Sequence, residues 1–235
     1  MIKALIFDFD GLILDTEEPE YQSWREVYQA FGCSLPLSKW AECIGTADAF
    51  DPYDYLVEQL GQSIDRAGVQ VKRRARFDEL MAAQSVLPGV QEYILEAKRL
   101  GLRLGLASSS SREWVTGHLS RLGLLACFDS LKCGDEVERT KPDPALYLMT
   151  LQALEVGARE AIALEDSPNG VLAAKRAGIF CVAVPNPVTQ HLSLAQADMQ
   201  LPSLAGLPLE TLLLRANDQT DAGSAGRNRS QNESR

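Results

Sequence analysis

The sequence predicts an α/β fold: a parallel sheet as core, with an all-helical segment inserted after the first strand. Three observations carry this reading. Short apolar runs rich in strand formers alternate with helical patterns, as right-handed βαβ units and a buried parallel sheet require. Between residues 16 and 83 the alternation stops and only helical periodicity is left. Glycines close the helical runs at Gly32, Gly61, Gly101, Gly123 and Gly178.

The first strand is the apolar run at residues 2–7. Tyr21, Trp24, Tyr28 and Phe31 then recur at helical spacing before Gly32, and Tyr53, Leu56, Val57 and Leu60 do so before Gly61. A third helical run covers 69–83, with Val71, Ala75 and Leu80 among Lys72, Arg73, Arg74 and Arg76. Leu87-Pro88-Gly89 punctuates the chain. After it come a helix through Val90, Ile94, Ala97 and Leu100, a strand at 102–107, and a helix through Trp114, Val115, Leu119 and Leu122. A weaker strand at 129–133, a helix at 142–157, a strand at 161–164, a helix at 168–177 and a strand at 179–184 follow, the last stopped by Pro185. The expected organisation is core 1–15, helical cap 16–83, core 84–215 and a polar tail 216–235 too poor in apolar residues to order itself.

Composition narrows the function classes. Across 235 residues, 46% are hydrophobic, so a sizeable core is available. A formal net charge of −9 argues against a nucleic-acid partner. Five scattered cysteines, never in a C-x-x-C pair, read as reduced packing thiols rather than a zinc or disulfide framework. No signal peptide pattern is visible, and the longest apolar run, 177–184, falls far short of the ~20 residues of a membrane span. A cytoplasmic protein, monomeric by default, is expected.

Chemistry collects at the predicted strand ends. In open parallel sheets, ligands sit outside the carboxyl ends of the strands. The first strand ends with Asp8 and Asp10 before Gly11, and the second with Ser108 and Ser109. The third is followed by Thr140-Lys141-Pro142, and the fourth by Glu165-Asp166-Ser167-Pro168. Each has a plainer reading: Asp10-Gly11 as a turn, Ser108 as a helix cap, Lys141 as a solvated lysine, and Asp166 or Ser167 as an N-cap before Pro168. Taken together, the set suits phosphoryl transfer. An acidic site can hold an anionic phosphate ester only with a cation, and oxygen ligands suit Mg²⁺. Asp8 can attack phosphorus, while Asp10, two residues on, can protonate the leaving oxygen and then deprotonate water. Ser108 and Ser109, with nearby backbone N–H groups, can hold the transferring oxygens, and Lys141 can offset charge. Asp166, helped by Glu165, can complete a metal site.

Asp8-Phe9-Asp10-Gly11-Leu12-Ile13-Leu14-Asp15-Thr16 resembles the first motif of the haloacid dehalogenase-like phosphohydrolase superfamily. Ser108, Lys141 and Glu165-Asp166 are similar to its second, third and fourth motifs, in the right order, and the resemblance covers residues 1 to about 215. Within it the chain resembles the β-phosphoglucomutase and phosphoglycolate phosphatase branch, whose helical cap follows the first motif directly. The resemblance implies a Rossmann-like core, Mg²⁺ dependence and an aspartyl-phosphate route. It also implies Asp8 as nucleophile, Asp10 as acid/base and backbone metal ligand, and Asp166 as metal ligand. The superfamily's dehalogenases lack an aspartate at the Asp10 position, which disfavours dehalogenation.

The cap departs from the mutases of that branch. Glu20 stands where they carry a histidine, and Gly45-Thr46-Ala47-Asp48-Ala49 lacks their arginine. Hydrolysis of a small phosphomonoester is therefore the expectation, with sugar phosphomutase as the alternative. Arg73, Arg74 and Arg76 could form a substitute phosphate clamp, although a solvated helix face is the plainer reading. Glu20, Trp24 and Thr46 are the candidates for facing substrate, Trp24 fitting equally well as cap core. Cap hinges are expected near 16–17 and 84–89. Two other readings are weaker. A phospho-accepting receiver would carry its aspartate on a middle strand, and a dinucleotide-binding oxidoreductase would show G-x-G-x-x-G after the first strand.

Overall fold

The computed structural model describes residues 1–40 and 51–218. Its core is a six-stranded sheet in the order β3-β2-β1-β4-β5-β6, with every neighbouring pair parallel. The strands are β1 (Ala4–Phe7), β2 (Arg103–Ala107), β3 (Ser130–Lys132), β4 (Ala161–Glu165), β5 (Phe180–Ala183) and β6 (Met199–Gln200). Five of the six answer the apolar runs of the sequence. The sixth is a two-residue edge strand whose brevity hides it.

The helices are α1 (Glu17–Ala30), α2 (Leu37–Trp40), α3 (Pro52–Leu60), α4 (Arg66–Ala83), α5 (Val90–Arg99), α6 (Arg112–Arg121), α7 (Ala145–Ala153) and α8 (Pro168–Arg176), and residues 209–218 are also helical. The predicted helix at 142–157 is trimmed to α7, because Pro142 and Pro144 precede its first regular turn. The expected polar tail begins too early at 216: Ala216 is fully buried against the core, and the rest of the tail lies outside the described residues. Thr46 and Gly45 also lie outside them.

Alternation along the parallel strands sends side chains to two faces. Leu5, Phe7, Leu104, Leu106, Ile162 and Val182 pack on one side with α5 and α6. Ala4, Ile6, Ala161, Ala163 and Cys181 pack on the other with α7 and α8. Small residues predominate on this second face, so α7 and α8 can approach closely. A separate apolar cluster lies among α1 to α4, built from Tyr21, Trp24, Tyr28, Leu35, Trp40, Tyr53, Leu56 and Val69. Among the described residues between 16 and 83 there is no strand. The two chain crossings that join these helices to the sheet run side by side: Leu14 bridges Val86, and Leu87 N–H donates to Ile13 C=O at 2.9 Å. Four cysteines in the described residues, Cys33, Cys127, Cys133 and Cys181, are free thiols. No helix among the described residues is long and apolar enough to cross a membrane.

Candidate active site

The carboxyl ends of β1, β2 and β4 meet the loop carrying Lys141 at the foot of a cleft of about 820 Å³. Asp8 directly follows β1 and is buried. Lys141 reaches it across the rim: its ammonium donates to Asp8 Oδ1 and to Glu165 Oε1, both at 2.6 Å. The lysine side chain is only 5% exposed, so these contacts replace its water shell. Tyr147, on α7, donates its hydroxyl to the same Glu165 oxygen at 2.6 Å, and its ring lies 5.2 Å from the ammonium.

Asp166, one residue past β4, is wedged between two neighbours. Asn186 Nδ2 donates to its Oδ2 at 2.8 Å. On the other side is Gly11, where a Cβ would fall 2.2 Å from that same oxygen. Gly11 has φ of +77°, which glycine adopts at little cost. The turn after β1 is thus glycine for two reasons, backbone and space.

One ligand atom from each of Asp8, Glu165 and Asp166 lies within 4.8 Å of the others. Three buried carboxylates face one buried ammonium. Burial raises the pKa of Asp8 against the opposing pull of Lys141, and it raises Asp166 well above the carboxylate range, helped by the charges of Asp8 and Glu165. Burial pushes Glu165 up to about 7, and the lysine is held above its usual value by Asp8 and Glu165 despite its own burial. Three carboxyl groups to one ammonium leave the cluster short of positive charge, and the upward shifts mean that protons make up the deficit where no cation does. An all-oxygen donor set with uncompensated charge fits a hard divalent cation such as Mg²⁺.

Asp10 stands apart from this trio. Ser110 Oγ donates to its Oδ2 at 2.6 Å and Ser108 Oγ lies 3.4 Å from the same atom. Trp114 Nε1, one turn into α6, donates to Oδ1 at 2.9 Å. Its indole stacks on Phe77 of α4, with ring centres 5.9 Å apart, so Asp10 is tied through one side chain to the helices opposite. Ser108 is fully buried and accepts a bond from Ser110 N–H; Ser109 lines the cleft.

The helical side contributes Glu17, Glu20, Arg73, Arg74 and Phe77 to the cleft wall. Glu20 lies on the cleft wall, paired with Arg73 at 2.7 Å. Arg73 does not lie on a solvated face: its side chain is 15% exposed and its guanidinium sits 5.1 Å from the Trp24 ring. Arg74 and Arg76 are half-exposed and pair with Asp78 and Glu26. Trp24 is turned inward with Tyr21 and Tyr28, so its place is the core of the helical cluster and not the cleft wall. Burial and the nearby charges of Asp10 and Glu20 push Glu17 up to about 7.

Trp114, Tyr147, Asn186 and Glu17 escape the sequence reading. Asn186 had a signal: Pro185-Asn186-Pro187 follows β5 on the rim that carries the other polar groups.

A parallel sheet whose strand ends bring Asp8, Asp10, Ser109 and Asp166 to one cleft with Lys141, and bury Ser108 beneath it, defines a phosphoryl-transfer class of enzyme. Residues 5–184 match the haloacid dehalogenase-like hydrolase family, and the chain belongs to it. YhcW of Bacillus subtilis, named as a candidate phosphatase, is 48% identical over 219 residues, spanning 93% of this chain and all of that protein. A phosphorylated carbohydrates phosphatase of Thermotoga maritima is 32% identical over 182 residues, 76% of this chain and 82% of that one. The crystal structure of CbbY from Rhodobacter sphaeroides in complex with phosphate superposes with a TM-score of 0.68 at 33% identity, covering 87% of this chain and 96% of that one. The relatives place the chain among the family's phosphatases.

Proposed function

We propose that this phosphatase hydrolyses a small phosphomonoester of the sugar-phosphate class, with Mg²⁺, through an aspartyl-phosphate formed on Asp8. The observation that carries the reading is the buried Asp8–Lys141–Glu165 bridge beside Asp166, at the end of a central strand. The name of the carbohydrate phosphatase relative supports the substrate class.

Lys141 holds one oxygen of Asp8, and the other attacks phosphorus in line with the ester oxygen. The P–O bond to the alcohol breaks, and Asp10 delivers a proton to the departing oxygen. Ser108, Ser109 and the backbone N–H groups beside them receive the equatorial oxygens. Water then attacks the phosphorus of the acyl phosphate while Asp10 takes its proton, which frees Asp8 and inorganic phosphate. Asp8, Glu165 and Asp166, with the main-chain carbonyl of Asp10, would hold Mg²⁺, which supplies charge neutralisation of the phosphoryl oxygens. Residues 16–83 act as a cap on the core formed by 1–15 and 84–215. Glu20 and Arg73 on its inner wall read the alcohol portion.

Asp8→Asn tests the route. It should abolish turnover of an aryl phosphate with Mg²⁺ while the far-UV spectrum and melting temperature stay close to those of the parent. Substantial residual turnover would refute Asp8 as nucleophile.

The phosphomutase alternative draws on Arg73, a cation on the cleft wall able to hold a second phosphate. Interconversion of β-glucose 1-phosphate and 6-phosphate faster than phosphate release would overturn the hydrolase reading.

A further inference from the structure

Asp166 receives a side-chain donor from the loop after β5. That loop is built around Asn186, which is buried and fully engaged. Its Oδ1 accepts the N–H groups of Val188 and Thr189, each at 2.9 Å. Its own N–H donates to Thr189 Oγ1 at 3.0 Å, and Thr189 is itself fully buried. Pro185 and Pro187 flank it and narrow the backbone freedom of the turn. With Oδ1 committed to the turn, the amide group can point only its NH₂ outward, and that NH₂ meets Asp166 Oδ2 at 2.8 Å and the Gly11 carbonyl at 3.5 Å.

The same turn reaches in a second direction. Val188 is 1% exposed and packs in the cluster of Tyr21, Trp24 and Tyr28, which belongs to the helices of residues 17–83. A loop of the sheet is thus clamped at one end on a carboxylate and at the other in an apolar cluster across the cleft.

We propose that Asn186 is a positioning residue of the metal site: it fixes the rotamer of Asp166 from a turn that Val188 anchors in the helical cluster. This rests on the reading of Asp166 as a metal ligand. A carboxyl group whose oxygen lies within 4.8 Å of those of two others has no electrostatic reason to stay aimed at them when no cation is bound. A neutral donor that holds it there removes reorganisation from metal binding without competing for the charge. Partners of this kind typically govern metal affinity by ~10–100-fold.

Three variants separate the possibilities, read by isothermal titration of the metal-free protein with MgCl₂. Asn186→Ser keeps an oxygen for the turn N–H groups but is too short to reach Asp166. Its Mg²⁺ dissociation constant should rise ~10-fold or more, while KM for an aryl phosphate at saturating Mg²⁺ stays within about two-fold. Thr189→Val loosens the same turn without touching Asp166, and its Mg²⁺ affinity should fall much less. Equal losses in the two variants would reduce Asn186 to a structural role and overturn the proposal, as would an unchanged affinity in Asn186→Ser. Asp166→Asn is the control for the underlying reading. If it binds Mg²⁺ as the parent does, Asp166 is not a ligand and the inference falls with it; if it alone loses affinity, only the role of Asn186 is refuted.

Discussion

Replacing Lys141 by methionine removes the one ammonium from a cluster of three buried carboxylates while keeping most of the side-chain volume. In the parent, that ammonium lies 2.6 Å from both Asp8 Oδ1 and Glu165 Oε1, and neither carboxylate side chain is more than 9% exposed. Breaking a buried ion pair by deleting one partner typically costs ~3–5 kcal/mol, because the surviving charge is left desolvated. For a chain of this size 1 kcal/mol corresponds to ~2–4 °C, so the metal-free variant should melt roughly 6–20 °C lower at pH 7.5. The loss has a ceiling, because a stranded carboxylate can take up a proton. Without Lys141, Asp8 and Glu165 lose the partner that opposes the effect of their burial, and both shift further upward. The deficit should therefore shrink at pH 5.5, where these groups protonate readily. Mg²⁺ should also restore part of it, since a ligand at 100 times its dissociation constant adds ~2.7 kcal/mol. The assay is thermal unfolding followed by circular dichroism, with EDTA or MgCl₂, at both pH values. A metal-free variant melting within about 2 °C of the parent at pH 7.5 would refute the claim that Lys141 neutralises this cluster.

Two further outcomes are expected. Trp114→Phe keeps the ring stacked on Phe77 but removes the N–H donated to Asp10. A hydrogen bond to a charged group is worth ~1.5–3 kcal/mol, so kcat should fall by about 10–100-fold with KM nearly constant in steady-state kinetics; kcat within two-fold of the parent would count against any role for that bond. The metal-free protein should also lose stability as pH rises from about 4.5 through 7. Burial pushes both Glu17 and Glu165 up to about 7 in the folded chain, so the folded state binds these protons more tightly than the unfolded one. Stability from these two groups is full below the unfolded carboxylate range and is lost as pH climbs to the folded value. The half-exposed carboxylates Glu26, Glu96 and Glu160 are lowered by their arginine or lysine partners and act only below this window. Melting curves in EDTA from pH 5.5 to 8 check the trend, and Mg²⁺ should raise the midpoint more at pH 8 than at pH 5.5.

What the sequence displayed and what it hid divide along physical lines. Central parallel strands are buried on both faces, so β1, β4 and β5 stand out as unbroken apolar runs. Asp8, Ser108 and Asp166 are legible because each sits within a residue of a strand end, where topology alone places it on the rim. Side chains that reach the rim from farther away are not. Trp114 and Tyr147 are large rings on helical stripes, and nothing local separates a ring that only packs from one whose N–H or O–H also meets a carboxylate. Arg73, Arg74 and Arg76 look alike in the chain, yet Arg73 and Arg76, one turn apart, both meet α1, at Glu20 and Glu26, while Arg74 pairs with Asp78 of its own helix, and of the three only Arg73 is largely buried. Trp24 followed its apolar stripe with Tyr21 and Tyr28 inward, as helical periodicity alone would have it. The sixth strand was invisible because two residues, one of them a glutamine, make no pattern.

The paired crossing at Leu14 and Val86 has a consequence for how such proteins diversify. The chain leaves the sheet and returns to it through neighbouring strands of backbone already bonded to each other, at Ile13 and Leu87. Most of what lies between those doors can be lengthened, repacked or exchanged, the points tied to the catalytic floor being Phe77, on which Trp114 stacks, and the pocket around Val188. A transplant spanning residues 17–83 should carry a new substrate preference onto an unchanged chemical engine, provided that the incoming helices leave a socket for Val188.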